Sequence, residues 1–138
     1  MLFRSFQSAL FDAGISTNPD IFAEVEPTDV ENIEKILNKF QPDAIMCSND
    51  GYAHKLVDTL ELIGKSVPRD IMVAGFDNTS SYSKNKLQLT SIKQPLDDIC
   101  EEAIYQMFRR LEHPDRNKTI IRLPGKLVIR QSTTKWEI

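Results

Sequence analysis

The sequence lacks the short motifs that build common catalytic sites. Only five glycines occur among the 138 residues, and they form neither a GxGxxG turn nor a phosphate-binding P-loop. The GxSxG nucleophile elbow and the HExxH metal site do not occur either. The two histidines, His54 and His113, are isolated and are interpreted as surface residues. The sequence therefore predicts a protein that is not an enzyme and that has no catalytic residues, no metal and no cofactor.

Positive charge and cysteine are also scarce. The formal net charge is -3, which argues against a DNA-binding surface because duplex binding needs clustered Lys and Arg. Cys47 and Cys100 lie in apolar runs and lack CxxC spacing, so they are expected to be buried free thiols in a reducing cytosol. No apolar run approaches the roughly 18 residues of a membrane helix, and residues 1–13 are amphipathic, unlike a signal peptide. We therefore expect a cytoplasmic protein without membrane contact.

Hydrophobic periodicity predicts helices that alternate with short strands. The helical segments are 2–13, 28–40, 53–63 and 96–111. Thr28 and Glu31 have the spacing of a capping box for the second helix. The strand segments are 21–25, 44–47, 71–76, 89–92, 119–123 and 127–129. Strands that are apolar on both faces and alternate with helices predict an α/β fold, an open parallel sheet flanked by helices.

Three polar side chains directly follow predicted strands. They are Asn49, Asp77 and Gln94. Ligands bind at the carboxyl ends of parallel strands, and two amides with one carboxylate suit the hydroxyl groups of a sugar or similar polyol. We therefore expect these three residues to bind a small ligand. The alternative is that Asn49 and Asp50 only cap a helix, that Asp77 opens a turn and that Gln94 is a solvated loop residue.

Several segments together resemble the effector-binding domain of the LacI/GalR repressors, which has the type I fold of periplasmic sugar-binding proteins. They are FQSAL (6–10), AGI (13–15), PDAI (42–45), CSND (47–50), VPRDI (67–71), GFDN (75–78), LTSIKQP (89–95) and LVIRQS (127–132). The last two are most similar to the arabinose-repressor branch, in which the sensor follows a GntR-type winged helix. The resemblance implies that Asn49, Asp77 and Gln94 contact the effector. The sequence departs from the family where Ser5 replaces a glycine and Leu2 an arginine.

This resemblance implies a non-catalytic, ligand-sensing and dimerising part of a sugar-responsive bacterial transcription repressor. Its partners would be a small effector such as a sugar, a second copy of the chain, and DNA only through a head domain outside this sequence. The implied dimer contacts are Tyr52, Lys55, Leu56, Thr59, Ser80 and Tyr82. The alternatives are part of a transporter's sugar-binding protein and a small α/β enzyme.

The resemblance also divides the chain into three parts. Residues 1–93 form the core of a C-terminal subdomain, 94–123 pack on an N-terminal subdomain outside this sequence, and 124–138 form a return strand and tail. The apolar face of the helix at 96–111 then has no partner in the chain. Burying one Leu or Ile side chain stabilises a protein by about 1.5–3 kcal/mol. We therefore expect this face to be covered in one of two ways: by pairing or swapping with a second chain, or by refolding onto the C-terminal subdomain.

Overall fold

A computed structural model describes residues 2–15, 21–79 and 87–134 of the chain. The elements in these ranges are α1 (Leu2–Asp12), α2 (Val30–Phe40), β1 (Ala44–Met46), α3 (Asp50–Leu62), β2 (Met72–Phe76), β3 (Thr90–Lys93), α4 (Leu96–Glu112) and β4 (Lys126–Val128). A short 3-10 turn, Gln131–Thr133, follows β4. The described helices include none that is both long enough and apolar enough to cross a membrane.

The start of α2 differs by one residue from the prediction. Asp29, not Thr28, is the N-cap, and its side chain accepts a hydrogen bond from the Asn32 backbone N–H at 3.2 Å. The Asp29 carboxylate also accepts from the Asn32 side chain at 2.7 Å, an additional contact that a threonine hydroxyl at position 28 would not supply. The predicted Thr28 capping box is therefore wrong, although the helix itself is confirmed.

The strands form one sheet in the order β1-β2-β3-β4. β1 pairs with β2 and β2 with β3 in parallel, whereas β4 pairs with β3 antiparallel. The predicted open parallel sheet is confirmed for three strands, and the fourth makes the sheet mixed. The segments at 21–25 and 119–123 are not strands, which corrects two predictions. Neither has a neighbouring strand in the described residues, and a lone extended segment has no ladder to satisfy its backbone.

The core lies between the sheet and helices α2 and α3. Its buried apolar residues are Ile33, Leu37, Ala53, Leu56, Val57, Leu60, Ile71, Val73 and Leu89. His54 on α3 is also buried, which corrects its interpretation as a surface residue. The 3-10 turn after β4 closes one side of the sheet through Ser132, which is completely buried. The Ser132 hydroxyl donates to the Val73 carbonyl at 2.6 Å and accepts from the Thr90 N–H at 2.8 Å. These bonds fix the C-terminal segment against β2 and β3.

Helix α4 turns its apolar face away from the rest of the described chain. It has no buried residue, and its partly buried positions are polar: Glu102, Gln106 and Arg109. The exposed apolar side chains of α4 include Leu96, Ile104, Tyr105, Met107, Phe108 and Leu111. Within the described part of the chain this face has no partner, as expected. Refolding onto the C-terminal subdomain, the second way predicted for covering it, does not occur in this structure.

Candidate ligand-binding site

The carboxyl ends of β1, β2 and β3 lie at one edge of the sheet because the three strands are parallel. Asn49 follows β1, Asp77 follows β2 and Gln94 follows β3 at this edge, and each is partly buried. The Gln94 side-chain Nε2 donates a hydrogen bond to Asp77 Oδ1 at 2.5 Å. The structure therefore brings together two of the three predicted site residues.

Asn49 takes the structural role that was its alternative interpretation. It is the N-cap of α3, and its Oδ1 accepts from the Tyr52 backbone N–H at 2.9 Å. A side-chain oxygen in this position satisfies one of the unpaired N–H groups of the first turn. The Nδ2 donors of Asn49 take no part in this contact. The residue therefore keeps two N–H groups that could face a ligand at the same edge of the sheet.

The backbone at Asp77 and Asn78 is left-handed, with φ angles of 100° and 54°. This region is sparsely populated by residues other than glycine, although Asp and Asn are enriched there. We call residues 77–79 the 77–79 turn. Its three N–H groups all donate: Asp77 to the Ile92 carbonyl at 3.0 Å, Asn78 to Ser91 Oγ at 3.0 Å, and Thr79 to Asp50 Oδ2 at 2.6 Å. The turn is thereby fixed to β3 and to the start of α3.

Asp50 is a buried carboxylate beneath this edge, with 1% of its surface exposed. Besides the Thr79 bond, its Oδ1 accepts from the Ser91 hydroxyl at 2.6 Å. It lies in the first turn of α3, where the helix dipole favours a negative charge. From the sequence, Asp50 was interpreted only as a possible helix cap. The available signal was Gly75 inside an apolar strand, a residue type that marks the close approach of another group.

Gly75 leaves the space that the Asp50 carboxylate occupies. A Cβ atom at position 75 would meet Asp50 Oδ1 at 2.2 Å and Leu89 Cδ2 at 2.9 Å. Both distances are shorter than real Cβ contacts, and both neighbours are buried. The requirement for glycine here is steric, because the contact between β2 and α3 leaves no room for a side chain.

Arg130 is a second residue that the sequence analysis did not assign to the site. It follows β4, and its guanidinium donates to the Leu89 carbonyl at 2.7 Å and to Asn78 Oδ1 at 2.6 Å. Its own backbone N–H donates to the Thr90 hydroxyl at 2.8 Å. Arg130 therefore links the C-terminal segment to the 77–79 turn, which lies 52 residues earlier in the chain.

The predicted dimer contacts fall into three groups. Tyr52 and Lys55 are exposed on α3, where the Lys55 Nζ lies 5.6 Å from the centroid of the Tyr52 ring. Leu56 and Thr59 are 3% and 5% exposed and point into the chain's own core, so the prediction is corrected for these two residues. Ser80 and Tyr82 lie outside the described residues.

Cys47 lies next to the candidate site, between β1 and Asn49. Burial raises the pKa of its thiol to about 12, because a thiolate would lose its hydration there. Cys100 is an exposed free thiol on α4, which corrects the prediction that it is buried. No group of three His, Cys, Asp or Glu side chains in the described ranges could hold a metal ion.

We expect iodoacetamide at about pH 8 to alkylate Cys100 in the native chain and to leave Cys47 unmodified. The thiolate is the reacting species, and a pKa of about 12 leaves only about one Cys47 thiol in ten thousand ionised at that pH. Mass spectrometry of the labelled peptides checks this result. The Cys100→Ser variant should take up label only in denaturant, and rapid native labelling of that variant would contradict the prediction.

The chain is similar in sequence to a family of binding domains and to transcription repressors. The profile of a family described as periplasmic binding protein-like domains matches residues 1–133. The transcriptional repressor PurR of Histophilus somni, of the HTH type, is 33% identical over 136 residues, which cover 96% of this chain and 41% of the relative. The chain spans about two fifths of the length of the curated relatives it matches.

Solved structures show the same similarity. A LacI family regulator from Enterococcus faecium with bound ribose is 27% identical with a TM-score of 0.69, over 93% of this chain and 48% of that one. The CelR–cellobiose complex of a transcriptional regulator is 20% identical with a TM-score of 0.76, over 94% of this chain and 41% of that one, and shows the fold alone. The relatives named here are transcription regulators, not enzymes.

Proposed function

This chain belongs to the family of periplasmic binding protein-like domains, in the form carried by LacI-type transcription regulators, and we propose from this premise that it supplies one wall of a sugar-binding cleft. This wall is the sheet edge where Asn49, Asp77 and Gln94 follow the three parallel strands. Its role is to bind an effector and not to catalyse a reaction.

The observation that carries this proposal is the contact between Asp77 and Gln94. The two side chains come from neighbouring strands and meet with a 2.5 Å hydrogen bond, which orients both. Among the described residues, Asp77 Oδ2 has no hydrogen-bond partner, and Gln94 Oε1 is not used in the bond. A fixed carboxylate oxygen beside a fixed amide oxygen can accept hydrogen bonds from two adjacent hydroxyl groups of a sugar. The Nδ2 group of Asn49 can donate to a sugar oxygen at the same edge.

We further propose that the second wall lies in polypeptide outside these 138 residues. Residues 1–93 would form the C-terminal subdomain, 94–123 would pack on an N-terminal subdomain, and 124–138 would return to the first. The outward apolar face of α4 supports this division, as does the share of the relatives' length that the chain spans. Sugar binding between the two walls would change how far they close and so the spacing of the DNA-binding heads. The sugar site and the DNA site would then be coupled allosterically.

The remaining partners follow from the same proposal. Tyr52 and Lys55, with the segment that contains Ser80 and Tyr82, would form the contact between two copies of the protein. DNA would be bound only by a head domain outside this chain. Membership of the arabinose-repressor branch stays a prediction, which rests on the similarity of residues 89–95 and 127–132.

Calorimetric titration of the full-length protein with ribose, arabinose, glucose and galactose tests the sugar site. We expect one of these sugars to bind, and Asp77→Ala to weaken its affinity by about 10- to 100-fold, because hydrogen bonds to a carboxylate contribute about 1.5–3 kcal/mol each. Asp115→Ala is the matched control, since Asp115 is an exposed carboxylate beyond the C-terminus of α4, which separates it from the sheet edge by 17 helical residues. Equal affinities of the two variants would contradict the assignment of Asp77.

A further inference from the structure

We propose that Asp50, Ser91 and Arg130 are positioning residues, which hold the Asp77 carboxylate in its ligand-binding geometry through the backbone of the 77–79 turn. This inference rests on the proposed function, because it takes Asp77 as the residue that meets the sugar. None of the three residues needs to touch the ligand. They act through Asn78 and Thr79.

The turn needs external support because of its conformation. Two consecutive residues other than glycine have positive φ angles, 100° at Asp77 and 54° at Asn78. Such a backbone is retained only where its surroundings determine it, and residues of this kind cluster at ligand-binding sites. A relaxed turn would move the Asp77 carboxylate away from Gln94.

Asp50 and Ser91 supply the support from below. Ser91 Oγ accepts from the Asn78 N–H at 3.0 Å and donates to Asp50 Oδ1 at 2.6 Å, while Asp50 Oδ2 accepts from the Thr79 N–H at 2.6 Å. Asp50 and Ser91 are each 1% exposed, so the side chains that accept these bonds are shielded from water. The carboxylate spans the two anchoring points of the turn, and its position at the N-terminus of α3 favours the charge it needs.

Arg130 supplies the support from the side. Its planar guanidinium joins Asn78 Oδ1 to the Leu89 carbonyl, with distances of 2.6 and 2.7 Å. Gln94 follows β3 and Arg130 follows β4, and these strands lead to and from residues 94–123. Both connections to that part of the chain are therefore bonded to the 77–79 turn. A displacement of residues 94–123 relative to the sheet would reach Asp77 through these two bonds.

Two readouts on the variants Arg130→Met and Asp50→Asn test the inference. The first is amide hydrogen exchange of Asn78 and Thr79 in the unliganded protein, which we expect to accelerate about tenfold or more as their acceptors are lost or released. The second is the affinity for the sugar that binds in the calorimetric panel, which we expect to fall about tenfold. Asp50→Asn conserves shape and removes one acceptor, so it separates the hydrogen bond from packing.

Thr133→Val is the matched control. Thr133 lies in the same C-terminal segment as Arg130, and its hydroxyl is 2.7 Å from the Thr90 hydroxyl. Within the described residues, no hydrogen bond joins the Thr133 side chain to the 77–79 turn. We expect this variant to lose some stability while its sugar affinity and its Asn78 and Thr79 exchange stay at the wild-type values. Arg130→Met with the same affinity and exchange as this control would overturn the proposal.

Asn78→Gly keeps the test decisive if Arg130→Met does not fold. Glycine adopts the left-handed backbone freely, and it lacks the side chain whose Oδ1 accepts the hydrogen bond from Arg130. We expect it to weaken sugar binding, and adding Arg130→Lys to it should weaken binding no further, because the arginine acts through Asn78. Additive losses would assign Arg130 a general structural role instead. If the wild-type protein binds none of the sugars, the proposed function fails, whereas the exchange rates of the unliganded protein still decide this inference.

Discussion

Gly75→Ala is expected to lower the free energy of unfolding by about 3 kcal/mol, which is the upper range for an added methyl group in a packed core. The new Cβ would lie 2.2 Å from Asp50 Oδ1 and 2.9 Å from Leu89 Cδ2. Asp50 cannot withdraw cheaply, because its carboxylate would lose its hydrogen bonds with Ser91 and Thr79. A buried donor left without an acceptor adds its own cost. Urea unfolding followed by circular dichroism measures the loss.

Gly51→Ala is the control for this prediction. Gly51 is exposed in the first turn of α3, and the nearest atom to its added Cβ is Asn49 Oδ1 at 3.2 Å. Alanine is favoured over glycine within a helix by up to about 1 kcal/mol, which offsets this mild contact. We expect a change close to zero. A Gly75→Ala protein as stable as Gly51→Ala would show that the packing of Asp50 against β2 is not as described.

Joint replacement of Phe108 and Leu111 by serine is expected to change stability by very different amounts in two settings. The two side chains are 57% and 70% exposed in this chain, so their loss should change its own stability by less than about 1 kcal/mol. If the apolar face of α4 packs on a second subdomain, the same change in the full-length protein should cost about 2–5 kcal/mol for each residue. Thermal unfolding of both proteins measures the contrast.

The same variant tests how the face is covered when the chain is alone. An exposed apolar face of this kind promotes association, so we expect the unmodified 138-residue chain to self-associate and to bind a hydrophobic dye. The double variant should self-associate less and bind less dye. Glu112→Gln, a polar change on the same helix, should leave both unchanged. A compact, dye-free monomer of the unmodified chain by light scattering would contradict this prediction.

The sequence predicted the parts of the fold that depend on local patterns. Apolar runs at β1, β2 and β3 identified three parallel strands, and the polar residues that follow them were predicted as ligand-binding residues. The hydrogen bond between Asp77 and Gln94 was not predictable, because spacing along the chain does not show which side chains converge. The direction of β4 was not predictable, because alternation of side chains does not encode whether a strand pairs parallel or antiparallel. The segment at 21–25 has the apolar residues of a strand, but no neighbouring strand among the described residues pairs with it.

Asp50 and Arg130 were missed for a different physical reason. Their contacts join residues that are 29, 41 and 52 positions apart, and they exist only once the register of the strands and the path of the C-terminal segment are fixed. In the sequence, a buried Asp such as Asp50 cannot be told from a helix cap. A partly buried Arg such as Arg130 cannot be told from a solvated charge. Asn49 shows the converse, since its capping role is local and was foreseen as an alternative.

We infer that the sheet edge with Asn49, Asp77 and Gln94 binds the effector. Hydrogen–deuterium exchange of the full-length protein, with and without the sugar that binds in the calorimetric panel, tests it most directly. We predict slower exchange on sugar addition in residues 48–51, 77–79 and 93–95, with no change in the second half of α3. Slower exchange elsewhere in the chain, with no change in residues 77–79, would show that the sugar does not bind at this edge.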